Sequence, residues 1–308
     1  MPTNKNKISL IIVAFGFMGS STLKSFYQNK FFEIKGIIIP TYNKYYYSEI
    51  NIKKLNKNIK ILPSDDKTKV HSFIKKIKPD IVVISTYNKI FDKKTLELSH
   101  FINIHHGKLP KQKGRASINW ALIMGRKSIY LTIHQAIPKL DSGKIIKQKE
   151  FKISDTDNYQ SIKNKICVFL KKDISNIIYE YLNNRIKLKN NNLSKETWNC
   201  SRNPEDGMIN FFDKRQVILN LIRASDGEKF GAYCFLKEKK IVVLEANINS
   251  KKKFEGIIPG RVVKLNSNGS IECLCKDGIL TITKVSYKKK IYKPKQIIKS
   301  TRCTLLND

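Results

Sequence analysis

The sequence predicts an α/β domain with a mostly parallel sheet, followed by a small β-barrel domain, and three observations carry that expectation. Apolar, β-branched runs alternate with amphipathic segments through the first part of the chain; a polar, Asn- and Lys-rich stretch interrupts at 183–197; short strand-like runs separated by turns follow it. Strands that are apolar on both faces belong to parallel sheets covered by helices on either side. At 308 residues the chain exceeds the roughly 150 of one domain. Two domains are therefore expected, 1–198 with a linker from about 183, and 199–308.

Taken in order, residues 8–14 form the first strand, Gly16 and Gly19 a turn, and 21–27 a helix. Residues 34–39, ended by Pro40, and 59–62, ended by Pro63, are the next strands. A helix at 71–77 is broken by Lys78-Pro79-Asp80, and 81–85 is a fully apolar strand. Residues 96–99 complete a short helix and 101–105 form the next strand. Apolar positions at 117–124 have helical spacing, 130–136 alternates as an antiparallel strand does, and 157–182 is a long amphipathic helix. Beyond the linker, a helix at 215–224 precedes strand-like runs at 231–236, 240–246, 260–265, 270–275 and 279–285, the pattern of a small barrel.

Composition excludes several classes. With 41% hydrophobic and 27% charged residues the chain is neither collagenous nor wholly disordered. No apolar run approaches the ~20 residues of a membrane span, and no cleavage signal follows the basic first residues, so a cytoplasmic protein without membrane insertion is expected. Six cysteines without a Cys-x-x-Cys pair argue against zinc or a disulfide framework, and no metal is expected. The net charge of +34 attracts phosphates, but eight of 59 basic residues are Arg and no Arg cluster with interleaved aromatics occurs. A solvated lysine surface is the simpler reading.

The glycines at 16 and 19 do not complete G-x-G-x-x-G, and no acidic residue ends the second strand, so a nicotinamide site is poorly supported. Asn103-Ile104-His105-His106-Gly107-Lys108-Leu109-Pro110, followed by Gly114-Arg115-Ala116-Ser117, is more informative. Asn103 and His105 are two apart and project from the same face of a strand, at the carboxyl edge where open α/β sheets bind ligands. Asp141, in Leu140-Asp141-Ser142-Gly143, can reach that edge if Gly143 relaxes the loop. Amide, imidazole and carboxylate make a candidate triad, although each residue taken alone is more often structural. His106 should face away and pack, and His134 is also read as structural.

The run Asn-x-His-x-x-x-Leu-Pro, with Gly114-Arg115 and the later Leu-Asp-x-Gly, resembles the folate-dependent formyltransferases: the glycinamide ribonucleotide, methionyl-tRNA and sugar N-formyltransferases. Tyr87-Asn88-Lys89-Ile90 is similar to the family's Tyr-Gly-x-Ile loop, and 114–120, ending in Trp120, is most similar to the sugar branch, especially the 4-amino-arabinose enzymes. Residues 202–209, 221–224 and 231–233 resemble the C-terminal domain of the tRNA and sugar enzymes. Gly107, Asn88 and Ser117 stand where Ser, Gly and Pro are frequent, which bears on loop details. The aromatic stretch 42–47 is unlike the Gly-Arg-rich insertion of tRNA enzymes.

The resemblance implies a Rossmann-like catalytic domain and an OB-like barrel. It implies formyl transfer from the co-substrate 10-formyltetrahydrofolate to the amine of a nucleotide-linked amino sugar, such as a dTDP- or UDP-4-amino sugar, for surface polysaccharide. Asn103 would stabilise the oxyanion of a tetrahedral intermediate, His105 act as general base and Asp141 orient it. Tyr87, Asn88, Lys89, Ile90, Ile137 and Leu140 would hold the pteridine. Gly16, Lys108, Arg115 and Trp120 would meet the acceptor, with Lys111 and Lys113 also available to its phosphates. A homodimer is expected by family analogy alone. The alternatives are methionyl-tRNA formyltransferase, which the basic charge favours, and a non-enzymatic basic RNA-binding OB protein.

Overall fold

Continuous burial explains the central strands: residues 10–13 and 81–83 have no exposed surface, and branched aliphatic side chains suit a pleated, two-sided interior. The computed structural model describes residues 7–41, 58–87, 89–225 and 230–306. In chain order these form β1 (Ile8–Val13), α1 (Gly16–Tyr27), β2 (Phe32–Ile39), β3 (Lys60–Pro63), α2 (Lys67–Ile77), β4 (Ile81–Ile84), α3 (Lys93–Leu96) and β5 (His100–His105). There follow β6 (Lys113–Gly114), α4 (Ser117–Ile123), β7 (Ser128–Gln135), β8 (Ile145–Lys152), α5 (Tyr159–Leu182) and β9 (Trp198–Asn199). The remainder comprises α6 (Arg215–Arg223), β10 (Ala232–Leu236), β11 (Lys239–Asn247), β12 (Val262–Leu265), β13 (Ile271–Cys275), β14 (Gly278–Tyr287) and β15 (Lys290–Tyr292).

A seven-stranded sheet runs in the order β3-β2-β1-β4-β5-β7-β8. Its first five strands pair in parallel, and β7 lies antiparallel to β5. This is the Rossmann-like, mostly parallel sheet that the sequence predicts. A second, six-stranded antiparallel sheet has the order β10-β11-β14-β13-β12, with β15 on β14. Its interior is filled by Ile218, Ile222, Val243, Ile271, Leu280 and the thiols of Cys234, Cys273 and Cys275. Two compact units result: Met1–Gly114, Ile129–Phe151 and Lys163–Asn199 form one, and Arg115–Ser128, Lys152–Ile162 and Cys200–Asp308 the other. Among the described residues, no helix is long and apolar enough to cross a membrane.

Four local expectations are corrected. α1 begins at Gly16 rather than at 21, because Gly16 turns out of β1 at φ +68° and Gly19 packs on Ala14, whose Cβ would lie 2.9 Å from a Cβ at 19. β8 has no counterpart in the sequence reading: four of its eight residues are charged, as suits a strand at a sheet edge. β15 also lies outside the expected strand-like runs; Lys288 and Lys289, both at positive φ, make the two-residue turn that joins it to β14. Lastly, the linker is docked along part of its length. Ile145 and Lys189 exchange backbone hydrogen bonds, and β9 pairs with β6.

Candidate active site

β5 carries Asn103 and His105 in alternate positions, and its antiparallel register with β7 sets His134 opposite Asn103 and Thr132 opposite His105. The loop between β7 and β8 returns Asp141 to the same place. Asp141 adopts a left-handed backbone at φ +48°, and Gly143 lies so close to β7 that a Cβ there would overlap the backbone oxygen of Gln135. Asn191 braces this loop by donating to the backbone oxygens of Asp141 (3.0 Å) and Gly143 (3.3 Å).

The predicted triad comes together, with a fourth member. Asn103 Nδ2 donates to Asp141 Oδ1 at 3.3 Å and lies 3.1 Å from His134 Nε2. Asp141 Oδ2 lies 3.5 Å from His105 Nδ1 and accepts from the Gly114 amide at 3.3 Å, while Oδ1 lies 3.6 Å from His134 Nε2. His134, expected to be structural, is thus part of the cluster; cross-strand register, which sequence spacing does not show, puts it there.

Backbone carbonyls set the ring hydrogens. His105 Nε2 donates to Gln112 O at 2.7 Å, and His134 Nδ1 to Gln135 O at 2.8 Å. In neutral rings the inward nitrogens, His105 Nδ1 and His134 Nε2, are therefore lone-pair acceptors, both facing Asp141. Burial pushes His105 below its ordinary 6.5, outweighing the opposing pull of the carboxylate and of the Gln112 carbonyl. Burial alone would raise the Asp141 carboxyl, but the His134 contact, the two imidazoles and the Gly114 amide hold it below the usual carboxylate range. The cluster can take up one proton among three facing atoms.

The loop after β5 is braced from β7 and β8. Thr132 Oγ1 donates to Gly107 O at 2.6 Å, and Gln148 Nε2 to Leu109 O at 2.9 Å. As the loop stands, Gly107 leaves no room for a side chain, since a Cβ there would sit 2.6 Å from both His105 Nε2 and Gln112 O.

The remaining expected residues are distributed as follows. Tyr87 stacks on Phe91 with ring centroids 5.1 Å apart, and burial, reinforced by Asp65, pushes its phenol up to about 12. Lys89, Ile90, Ile137 and Leu140 are exposed. Asn88 and the aromatic stretch 42–47 lie outside the described residues. Gly16 is buried at the start of α1. Lys108 is exposed, its Nζ 4.4 Å from the centre of the Tyr130 ring. Arg115 and Trp120 belong to the second unit, where Trp120 Nε1 donates to Cys200 O at 2.8 Å. Lys111 is exposed, but Lys113 is wholly buried and paired, which corrects its expected role toward phosphates.

His106 is partly buried, its Nε2 has no hydrogen-bond partner, and burial together with His105 pushes its pKa down to about 4. Between pH 6.5 and 4 the unfolded chain therefore binds a proton at this ring that the folded chain refuses. Stability present above pH 6.5 is lost as the pH falls, by up to about 3 kcal/mol from this ring. Melting curves from pH 7 to 4 should fall less steeply for His106→Gln than for the wild type; parallel curves would contradict this.

Residues 52–177 match the Formyl transferase family and 202–302 the family Formyl transferase, C-terminal domain. The chain is 28% identical over 269 residues to the bifunctional polymyxin resistance protein ArnA of Wigglesworthia glossinidia brevipalpis, covering 86% of this chain and 38% of that protein. It is 31% identical over 219 residues to the methionyl-tRNA formyltransferase of Kosmotoga olearia, covering 70% of each. The solved structure of WlaRD, described as a sugar 3N-formyl transferase in the presence of dTDP and 5-N-formyl-THF, superposes with a TM-score of 0.63 at 18% identity, covering 93% of this chain and all of that one. At that identity the likeness is one of fold.

Proposed function

The chain belongs to the formyltransferase family, and from that premise we propose that it moves a formyl group from 10-formyltetrahydrofolate to the amine of a nucleotide-linked amino sugar, for surface-polysaccharide synthesis. The observation that carries the chemistry is the convergence of Asn103, His105 and Asp141, with both inward imidazole nitrogens facing one carboxylate. The sugar acceptor is favoured by the motif at 114–120.

The residues that the resemblance assigns to the pteridine suit a folate. Ile90, Ile137 and Leu140 are 48%, 42% and 37% exposed, and Tyr87 adds an aromatic face. Apolar side chains left open to water next to polar groups suit a flat heteroaromatic ring. When bound, the folate supplies a formyl carbon open to attack by an amine. His105 then accepts the amine's proton at Nδ1, because its other nitrogen is committed to Gln112 O. Asp141 stabilises the imidazolium as it forms, and that proton would pass to the folate nitrogen as its bond to the formyl carbon breaks and tetrahydrofolate leaves. Asn103 would give up its 3.3 Å hydrogen bond to Asp141 and turn that one amide hydrogen to the developing oxyanion, a donor typically worth about 3 kcal/mol. His134, accepting from the same amide, sets its orientation. Lys108, which is exposed, suits an acceptor phosphate as a point charge.

The second reading, methionyl-tRNA as acceptor, is favoured by the 31% identity to the Kosmotoga olearia enzyme and by the net charge of +34. Membership of an enzyme family sets aside the non-enzymatic RNA-binding alternative. The deciding assay supplies 10-formyltetrahydrofolate with dTDP- or UDP-linked 3-amino and 4-amino sugars, or with charged initiator tRNA, and follows tetrahydrofolate release. Turnover with a nucleotide amino sugar, weakly dependent on salt, is expected. Turnover with tRNA alone, falling steeply with salt, would replace the sugar by the second reading.

A further inference from the structure

Lys113 has no exposed side-chain surface. Its Nζ lies 2.6 Å from Glu196 Oε2, donates to Ser142 Oγ at 2.8 Å, and sits 5.2 Å from the centre of the Trp198 ring. An ammonium group is costly to bury unless paired and hydrogen-bonded, so both contacts are needed to keep it there. Ser142 follows Asp141 directly, and its hydroxyl donates to Leu140 O at 2.9 Å. Residues 189–199 make further attachments. Asn191 holds the backbone of Asp141 and Gly143. Thr197 accepts from Gln112 N through its hydroxyl at 3.0 Å and from Lys113 N through its carbonyl at 2.9 Å. One strap thus grips both segments that meet the cluster: 112–114, which supply the Gln112 carbonyl to His105 and the Gly114 amide to Asp141, and 140–143. The left-handed backbone of Asp141 is disfavoured for a residue with a Cβ and persists only where its surroundings enforce it.

We infer that Lys113, clamped by Glu196, is a positioning residue that holds the Asp141 carboxylate between His105 and His134, which makes residues 189–199 part of the active site. The inference rests on the reading of Asp141 given above. Its test uses the full chain carrying Lys113→Met with Glu196→Leu, which removes both charges so that neither is left buried and unpaired. NMR titration of the five histidines, with His105 and His134 assigned through their Gln variants, gives a readout independent of turnover. Asp141→Asn defines the full effect of losing the carboxylate, which favours the protonated His105 ring. Because the Lys113 charge itself lowers His105, the titration is read in Ser142→Ala, which cuts the link while sparing the ion pair and should move His105 downward, in the same direction as Asp141→Asn. In the formyl-transfer assay its kcat should fall roughly tenfold or more, with KM for both substrates within about threefold. The double variant, where it folds, should lose kcat to the same extent; where it does not, Ser142→Ala alone decides. An unchanged His105 titration, or a native kcat, would overturn the inference. Retained turnover in Asp141→Asn would instead overturn the functional reading, while the titration would still decide the clamp.

Discussion

Asp141→Asn is expected to lower kcat by about 1,000-fold with little change in KM or in melting temperature. The reason lies in the ring hydrogens. His105 and His134 each give their outer hydrogen to a backbone carbonyl, so each turns a lone pair toward position 141. A carboxylate there leaves His105 Nδ1 open and stabilises the cation that forms when it takes a proton. A carboxamide would donate one of its own hydrogens to that lone pair and close it, while supplying no negative charge. Steady-state kinetics alongside thermal melting check this; turnover within tenfold of the wild type would remove the carboxylate from proton transfer. In the wild type, burial of His105 predicts that the acid limb of the kcat profile lies below pH 6.5, because the depressed ring stays neutral further into acid.

Gly143→Ala should be almost as damaging, though it touches no reacting group. Gly143 is not among the glycines at positive φ, so its backbone conformation is open to alanine. Replacing glycine there would, on entropy alone, stabilise the fold slightly. The added methyl, however, would overlap Gln135 O. Neither partner yields easily, because Gln135 N is bonded to Lys144 O at 3.0 Å and Ile102 of β5 pairs with Gln135. The loop must shift and carry Asp141 with it. A displacement of ~1 Å is enough for a loss of roughly 100-fold in kcat, and overpacking should cost about 1–3 kcal/mol, a fall of several degrees in melting temperature. Gly256→Ala, where a Cβ would meet nothing within 4 Å, is the control and should leave both quantities unchanged. Native kinetics in Gly143→Ala would show that the loop tolerates the shift.

The parallel strands were legible because burial on both faces leaves β4 no polar position, and β1 only Ser9 near its start, to blur the signal. β8 was hidden for the opposite reason, as an edge strand whose lysines and glutamate suit solvent. Asn103 and His105 could be paired from alternation alone, and Gly143 pointed to the return of Asp141. His134 could not be placed, since its role depends on the register between β5 and β7. One signal was available: Thr132 and His134 share a strand face in the way Asn103 and His105 do. Lys113 lies near Lys108 and Lys111 in sequence and reads as one more surface charge. Its burial depends on Glu196, 83 positions further along the chain.

Position 107 decides which side of the His105 ring is basic. With a hydrogen atom as its side chain, residue 107 lets the imidazole settle against Gln112 O; any larger group would wedge the two apart. Freed from that anchor, the ring would surrender its preferred tautomer, and Nε2 would compete with Nδ1 as the basic atom. The smallest residue in the loop thereby sets the direction from which a substrate's hydrogen must arrive.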